Sequence, residues 1–203
     1  MIGRPNFQDR VERADDAVYH GATRVSRVLG TVWHATAGDT ATGARGWMDR
    51  KEKVMEGGKP VFKPLPSNKR SSYTYIIDKS GKIVRTLHPL TIAYHAGNSQ
   101  WLGLPRLNDS LNHCTLGVSF ANDNGSDDNP NDDELTYEQL ESGLWLGSVL
   151  METYGYGAEV NLQHREVSPG RKQDVAAHIL DPDFWREQLA MRVWPETIYA
   201  LRP

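Results

Sequence analysis

The chain has 203 residues, 38% of them hydrophobic and 24% charged, with a net charge of −3. That size and balance fit one soluble globular domain with a buried core. No apolar run is long enough to span a bilayer, so no stable membrane association is expected. The polar N-terminus has no apolar signal-like stretch, which predicts synthesis in the cytoplasm. Cys114 is the only cysteine, which excludes an internal disulfide and fits a reducing compartment.

Charge is unevenly spread. Between Gly43 and Arg85, eleven Lys/Arg face four Asp/Glu, whereas Asp123 to Glu134 holds six acids and no base. The acidic run reads as solvated loop and fails the spacing of a calcium loop. The basic half is compatible with an anionic polymer as substrate. Nucleic acid is not implied, because the whole chain is mildly acidic and has no recognition-helix motif.

In chain order, Asp9 to Arg27 is polar with scattered apolar residues and suggests a short helix. Residues 1–27 are therefore taken as an N-terminal segment, 28–191 as the domain and 192–203 as a tail. Val28 to Trp33 is a β-rich run ending at His34, where a small-residue loop begins. Gly46 to Glu56 predicts a charged helix stopped by Gly57-Gly58, and a Pro/Lys-rich loop follows to Ser71. Tyr73 to Ile77 and Lys82 to Leu87 flank Asp78-Lys79-Ser80-Gly81 and predict a β-hairpin. Thr115 to Phe120 reads as a buried strand. Thr136-Tyr137-Glu138-Gln139 is a capping box, with Leu135 and Leu140 as its hydrophobic staple. The helix it opens keeps a stripe through Leu144, Gly147, Met151 and Tyr154 and ends at Gly155 and Gly157. Asp181-Pro182 opens a last helix. The fold class predicted is α/β, a single mixed sheet flanked by helices.

The chemistry concentrates in His164-Arg165-Glu166-Val167-Ser168-Pro169-Gly170-Arg171-Lys172-Gln173-Asp174. His164 and Asp174 offer ligand types suited to zinc, and Ser168-Pro169-Gly170 lets the run fold back on itself. A catalytic zinc site keeps three protein ligands and an open position, and His34, at a strand end, is the best third. His178 is the reserve, close enough to Asp174 to replace it. Of the seven histidines, His20, His88 and His113 read as ordinary surface or core residues. An amide-hydrolysing site also needs donors for the oxyanion, for which Lys172 and Tyr73 are candidates.

These residues together resemble the zinc-dependent N-acetylmuramoyl-L-alanine amidases of the type-2 amidase and peptidoglycan-recognition superfamily, phage lysins included. The resemblance runs from Val28 to Leu189 through Val32-Trp33-His34-Ala35-Thr36-Ala37, the hairpin from Tyr73 to Gly81, Tyr94-His95-Ala96-Gly97-Asn98-Ser99, and His164 to Asp174. It implies zinc held by His34, His164 and Asp174, with Lys172 stabilising the transition state and Tyr73 assisting. It also implies that His95 and Asn98 line the substrate groove, a structural role for His95 being the alternative. Peptidoglycan would be the partner, and a monomer is expected.

Three departures stand out. The family's glutamate after its Ile-Gly-Ile strand reads Ser119 here, after Leu116-Gly117-Val118. Val175 replaces the usual proline after the ligand aspartate. The segment Gly57 to Arg70 has no assignment. The expected activity is cleavage of the N-acetylmuramic acid–L-alanine amide, in the setting of a phage endolysin that reaches the wall after holin-mediated release. The alternatives are a zinc-free peptidoglycan-binding protein and a cytoplasmic wall-recycling amidase.

Overall fold

The computed structural model describes residues 10–14, 19–36, 38, 40–66, 69–123, 134–176 and 178–192. Its strands are β1 (Val11–Arg13), β2 (His20–Thr23), β3 (Gly30–Ala35), β4 (Lys51–Glu56), β5 (Lys59–Pro64), β6 (Tyr75–Ile77), β7 (Ile83–Arg85), β8 (Thr91–Ala93), β9 (Thr115–Phe120) and β10 (Asn161–Gln163). Its α-helices are α1 (Ala41–Met48), α2 (Tyr137–Tyr154), α3 (His164–Val167) and α4 (Pro182–Met191).

Six strands form the central sheet in the order β1-β7-β6-β9-β3-β10. Only the β6–β7 hairpin is antiparallel within it, and the remaining pairs run parallel. β3 and β9 are buried along their whole length, as expected for parallel strands covered on both faces. Alternation then sorts their side chains. Trp33, Leu116, Val118 and Phe120 point into the larger core with Leu144, Leu146, Leu150, Trp185 and Leu189 of α2 and α4. On the opposite face, Val32 packs with Leu162, Ala96, Leu111 and Val167. His34, two residues after Val32, belongs to that second face.

Helix α2 begins as its sequence predicts. Thr136 Oγ1 accepts from the Gln139 amide and Gln139 Oε1 from the Thr136 amide, both at 3.1 Å. Gly155 ends the helix in the left-handed region, at φ 69°. Asp181 caps α4 through the Phe184 amide at 2.8 Å, with Pro182 in the first turn.

Three expectations need correction. The segment expected to be helical before Val28 instead supplies β1 to the central sheet and β2 to a two-stranded sheet with β8, so it is part of the domain. Strand pairing outweighs weak helical propensity there. The helix expected over Gly46 to Glu56 lies earlier, at Ala41–Met48, capped by Thr40, whose side chain accepts from the Gly43 amide. Lys51 to Glu56 is a strand, and the unassigned Pro/Lys-rich segment supplies its partner, β5. Gly57 and Gly58, at φ 57° and 78°, make the two-residue turn between them. Pro60 and Pro64 are tolerated because every strand of a two-stranded ribbon is an edge. Most of the acidic run, the first nine residues and the tail from residue 193 onward lie outside the described residues.

Candidate metal centre and cleft

Register places the site. β3 and β10 run parallel with Trp33 beside Gln163, so His34 and His164 emerge level with each other at the carboxyl ends of neighbouring strands. That end is where open α/β sheets present their ligand sites. Asp174 reaches the same point because its loop is tied back: the Arg165 amide donates to the Asp174 carbonyl at 2.8 Å. The peptide bond after Asp174 is cis.

His34 Nδ1 and His164 Nδ1 both lie 3.1 Å from the same atom, Asp174 Oδ2. All three donor atoms fall within 4.8 Å of one another. Tetrahedral zinc with ligands about 2.0 Å away separates neighbouring donors by about 3.3 Å. The spacing and the N, N, O donor set therefore fit a zinc ion. His34 is fully buried and His164 nearly so.

Burial first, and then the neighbouring His164, pushes the His34 imidazole down to about 4. His95 is likewise held well below its ordinary value by burial. Burial alone would raise the Asp174 carboxyl, but hydrogen bonds from His164 and His34 prevail and leave it far below the usual carboxylate range. A neutral His34 imidazole beside an ionised Asp174 carboxylate is the pattern of protonation that metal binding requires.

His164 and Asp174 line a cleft of about 760 Å³ together with Tyr73, Tyr94, Asn98 and Lys172 among others, and His34 is buried behind them. Lys172 and Asn98 are exposed on its wall. The Tyr73 ring centroid is 5.0 Å from that of His34. Burial and the Asp174 charge push its phenol up, offset in part by the Ser119 hydroxyl, so Tyr73 stays a proton donor. Ser119 pairs with His34 in register and occupies the same face of the sheet. His95 lines the cleft from beneath and touches His34, its Nδ1 lying 3.2 Å from His34 Nε2. His178, the reserve ligand, is exposed and lies outside the cluster.

Several site residues escaped sequence reasoning. Arg171 donates to the Ala96 carbonyl at 2.8 Å, the Asn98 carbonyl at 3.0 Å and Ser168 Oγ at 2.8 Å, stitching the ligand loop to the cleft wall. Arg50, Lys69 and Arg70 add positive charge to the rim, and the Arg50 guanidinium stacks 3.5 Å from the Trp47 ring centroid. The local excess of positive charge was their only trace in the sequence.

Residues 24–177 match the family model described as N-acetylmuramoyl-L-alanine amidase. The chain belongs to this amidase family. Solved structures share its fold. AmpD, as a selenomethionine derivative, superposes with a TM-score of 0.64 at 18% identity, over 88% of this chain and 94% of that one. The amidase AmiD from E. coli, in complex with anhydro-N-acetylmuramic acid-L-Ala-D-γ-Glu-L-Lys, gives a TM-score of 0.60 at 18% identity, over 83% of this chain. The match spans only 60% of AmiD's own length. A mutant endolysin from Bacillus subtilis gives 0.58 at 14% identity, over 88% of this chain and 97% of that one. No curated protein matches the sequence.

Proposed function

We propose that this amidase hydrolyses the bond between the lactyl group of N-acetylmuramic acid and L-alanine in peptidoglycan, using zinc held by His34, His164 and Asp174. The observation that carries the reading is the convergence of two imidazole nitrogens on one carboxylate oxygen, 3.1 Å from each, with His164 and Asp174 lining the cleft. Bound zinc supplies Lewis-acid polarisation and a water of lowered pKa.

The protein supplies the rest. Lys172 presents an ammonium to the oxygen that gains charge as the amide carbon becomes tetrahedral. Tyr73, still protonated, donates a hydrogen bond on the side next to His34. Ser119 has no acid–base capacity near neutrality, so Tyr73 and Lys172, both carrying protons, are the donors for the oxyanion and the leaving amine nitrogen, and the proton that the attacking water loses goes to bulk solvent. His95 and Asn98 belong to the groove that receives the substrate. The rim of Arg50, Lys69, Arg70 and Arg171 suits an acidic stem peptide, since a γ-linked glutamate keeps its α-carboxylate free. The tyrosine–lysine pair without a glutamate, and a fold shared with endolysins, support the setting of a phage lysis enzyme acting on the wall.

Ser119 also favours a second reading, a protein that binds stem peptides without cleaving them. Purified sacculi separate the two. Mass spectrometry should find new L-alanine amino termini that disappear with chelator and return with added zinc. Sacculi that retain the protein while staying intact would replace the amidase with the binder.

A further inference from the structure

The His34 imidazole has two jobs to reconcile. Its Nδ1 faces the centre of the ligand cluster, so holding a metal there puts its one proton on Nε2. That nitrogen is buried, and its hydrogen-bond partner is His95 Nδ1 at 3.2 Å. To accept, His95 must carry its own proton on Nε2, which meets Thr115 Oγ1 at 3.3 Å. Thr115 can accept there because its hydroxyl proton goes on to the Leu111 carbonyl, 2.8 Å away. Every link in this chain has a donor and an acceptor, and it ends on a backbone carbonyl.

The surroundings are shaped for it. Thr115 is fixed from outside, since Arg24 Nη2 donates to its carbonyl at 3.0 Å. Gly117, between Thr115 and Ser119 on the same face of β9, leaves room for the His95 ring: a Cβ there would lie 2.6 Å from His95 Cγ and 2.7 Å from His95 Cβ. His95 and Thr115 are both buried.

We infer that His95 is a positioning residue which, with Thr115 behind it, holds His34 in the tautomer that offers Nδ1 to the metal. The inference rests on the metal site of the proposed function and assigns His95 a task other than groove lining. Partners that orient a metal-bound histidine commonly change metal affinity by about 10–100-fold when removed.

The test measures zinc affinity by chelator competition, with circular dichroism to check folding and ¹⁵N NMR of zinc-loaded protein to locate the imidazole protons. The expected result is a His34 proton on Nε2, coupled across its hydrogen bond to His95 Nδ1. Zinc binding should weaken by about 10–100-fold in His95→Ala. Thr115→Val should weaken it too, while Thr115→Ser keeps the wild-type affinity. Wild-type zinc affinity in folded His95→Ala, or a Thr115→Ser loss equal to that of Thr115→Val, would overturn the relay and leave the metal site standing. Wild-type protein that takes up no zinc would remove the metal site and the relay together.

Discussion

The buried histidines make the metal-free protein acid-labile in a defined window. His34 ionises near 4 in the folded chain and near 6.5 when unfolded. Its folded value is depressed, so below pH 6.5 the unfolded chain binds more protons, and stability falls with pH until the folded value is passed. Each proton taken up on unfolding contributes a slope of about 1.4 kcal/mol per pH unit. For His34 alone the loss relative to pH 8 is about 1 kcal/mol at pH 5.5 and about 3 kcal/mol at pH 4. His95, depressed by the same burial, adds to the loss in that window. Against a total stability of about 5–15 kcal/mol, this is a large share. Urea unfolding of chelated protein from pH 8 to pH 4.5 reads it directly. The slope should flatten in His95→Gln, and added zinc should raise stability most at the neutral end, where the ligands are already deprotonated. A chelated protein whose unfolding midpoint stays level from pH 6.5 to pH 4.5 would refute the reasoning.

Glycine substitutions should split by location. Gly46 in α1 has open space around it, so Gly46→Ala should raise stability by about 1 kcal/mol through helix propensity. A Cβ on Gly143 in α2 would meet Phe120 Cζ and Trp185 Cη2, each at 2.9 Å. Those rings pack against Trp33 and cannot yield, so Gly143→Ala should cost about 1–2 kcal/mol in the same thermal-melt series. Gln139→Ala should cost more than Thr136→Ala in urea unfolding, because Gln139 Nε2 also donates to the carbonyls of Ala121 at 3.0 Å and Ile77 at 3.3 Å. Arg50→Gln and Arg70→Gln should raise KM by about threefold to tenfold on muropeptides with free carboxylates, with kcat unchanged. Amidated muropeptides should show no such change, and equal effects on both would remove the rim from substrate recognition.

What the sequence made legible was local chemistry and strong periodicity. The α2 capping box, the Asp181-Pro182 start and the two six-residue buried strands are written in residues that have few other uses. The cluster of His34, His164 and Asp174 was legible as a candidate ligand set because histidine at a strand end and a histidine–aspartate loop are conspicuous in composition. β1 and β2 were not, because three- and four-residue strands carry little periodicity and are held by partners far along the chain. The β4–β5 ribbon was misread for another reason. Its charged residues alternate with Val54, Val61 and Phe62 in a ribbon with little buried area, and Gly57-Gly58 signals a helix stop as readily as a turn. The tie between His95 and His34 lay beyond sequence altogether, since nothing local in Tyr94-His95-Ala96 says which nitrogen meets which.

Register explains why so few residues are enough to build the site. In β3 the aromatic core takes Trp33, and the adjacent His34 must then face the other way. In β9, Leu116, Val118 and Phe120 lock into the same core, so Thr115, Gly117 and Ser119 are delivered to the site face as hydroxyl, space and hydroxyl. A slip of one residue in either strand would bury a polar group among Trp33, Phe120 and Trp185 and expose an apolar one to the cleft. The core that fixes stability therefore also fixes the phase of the chemistry.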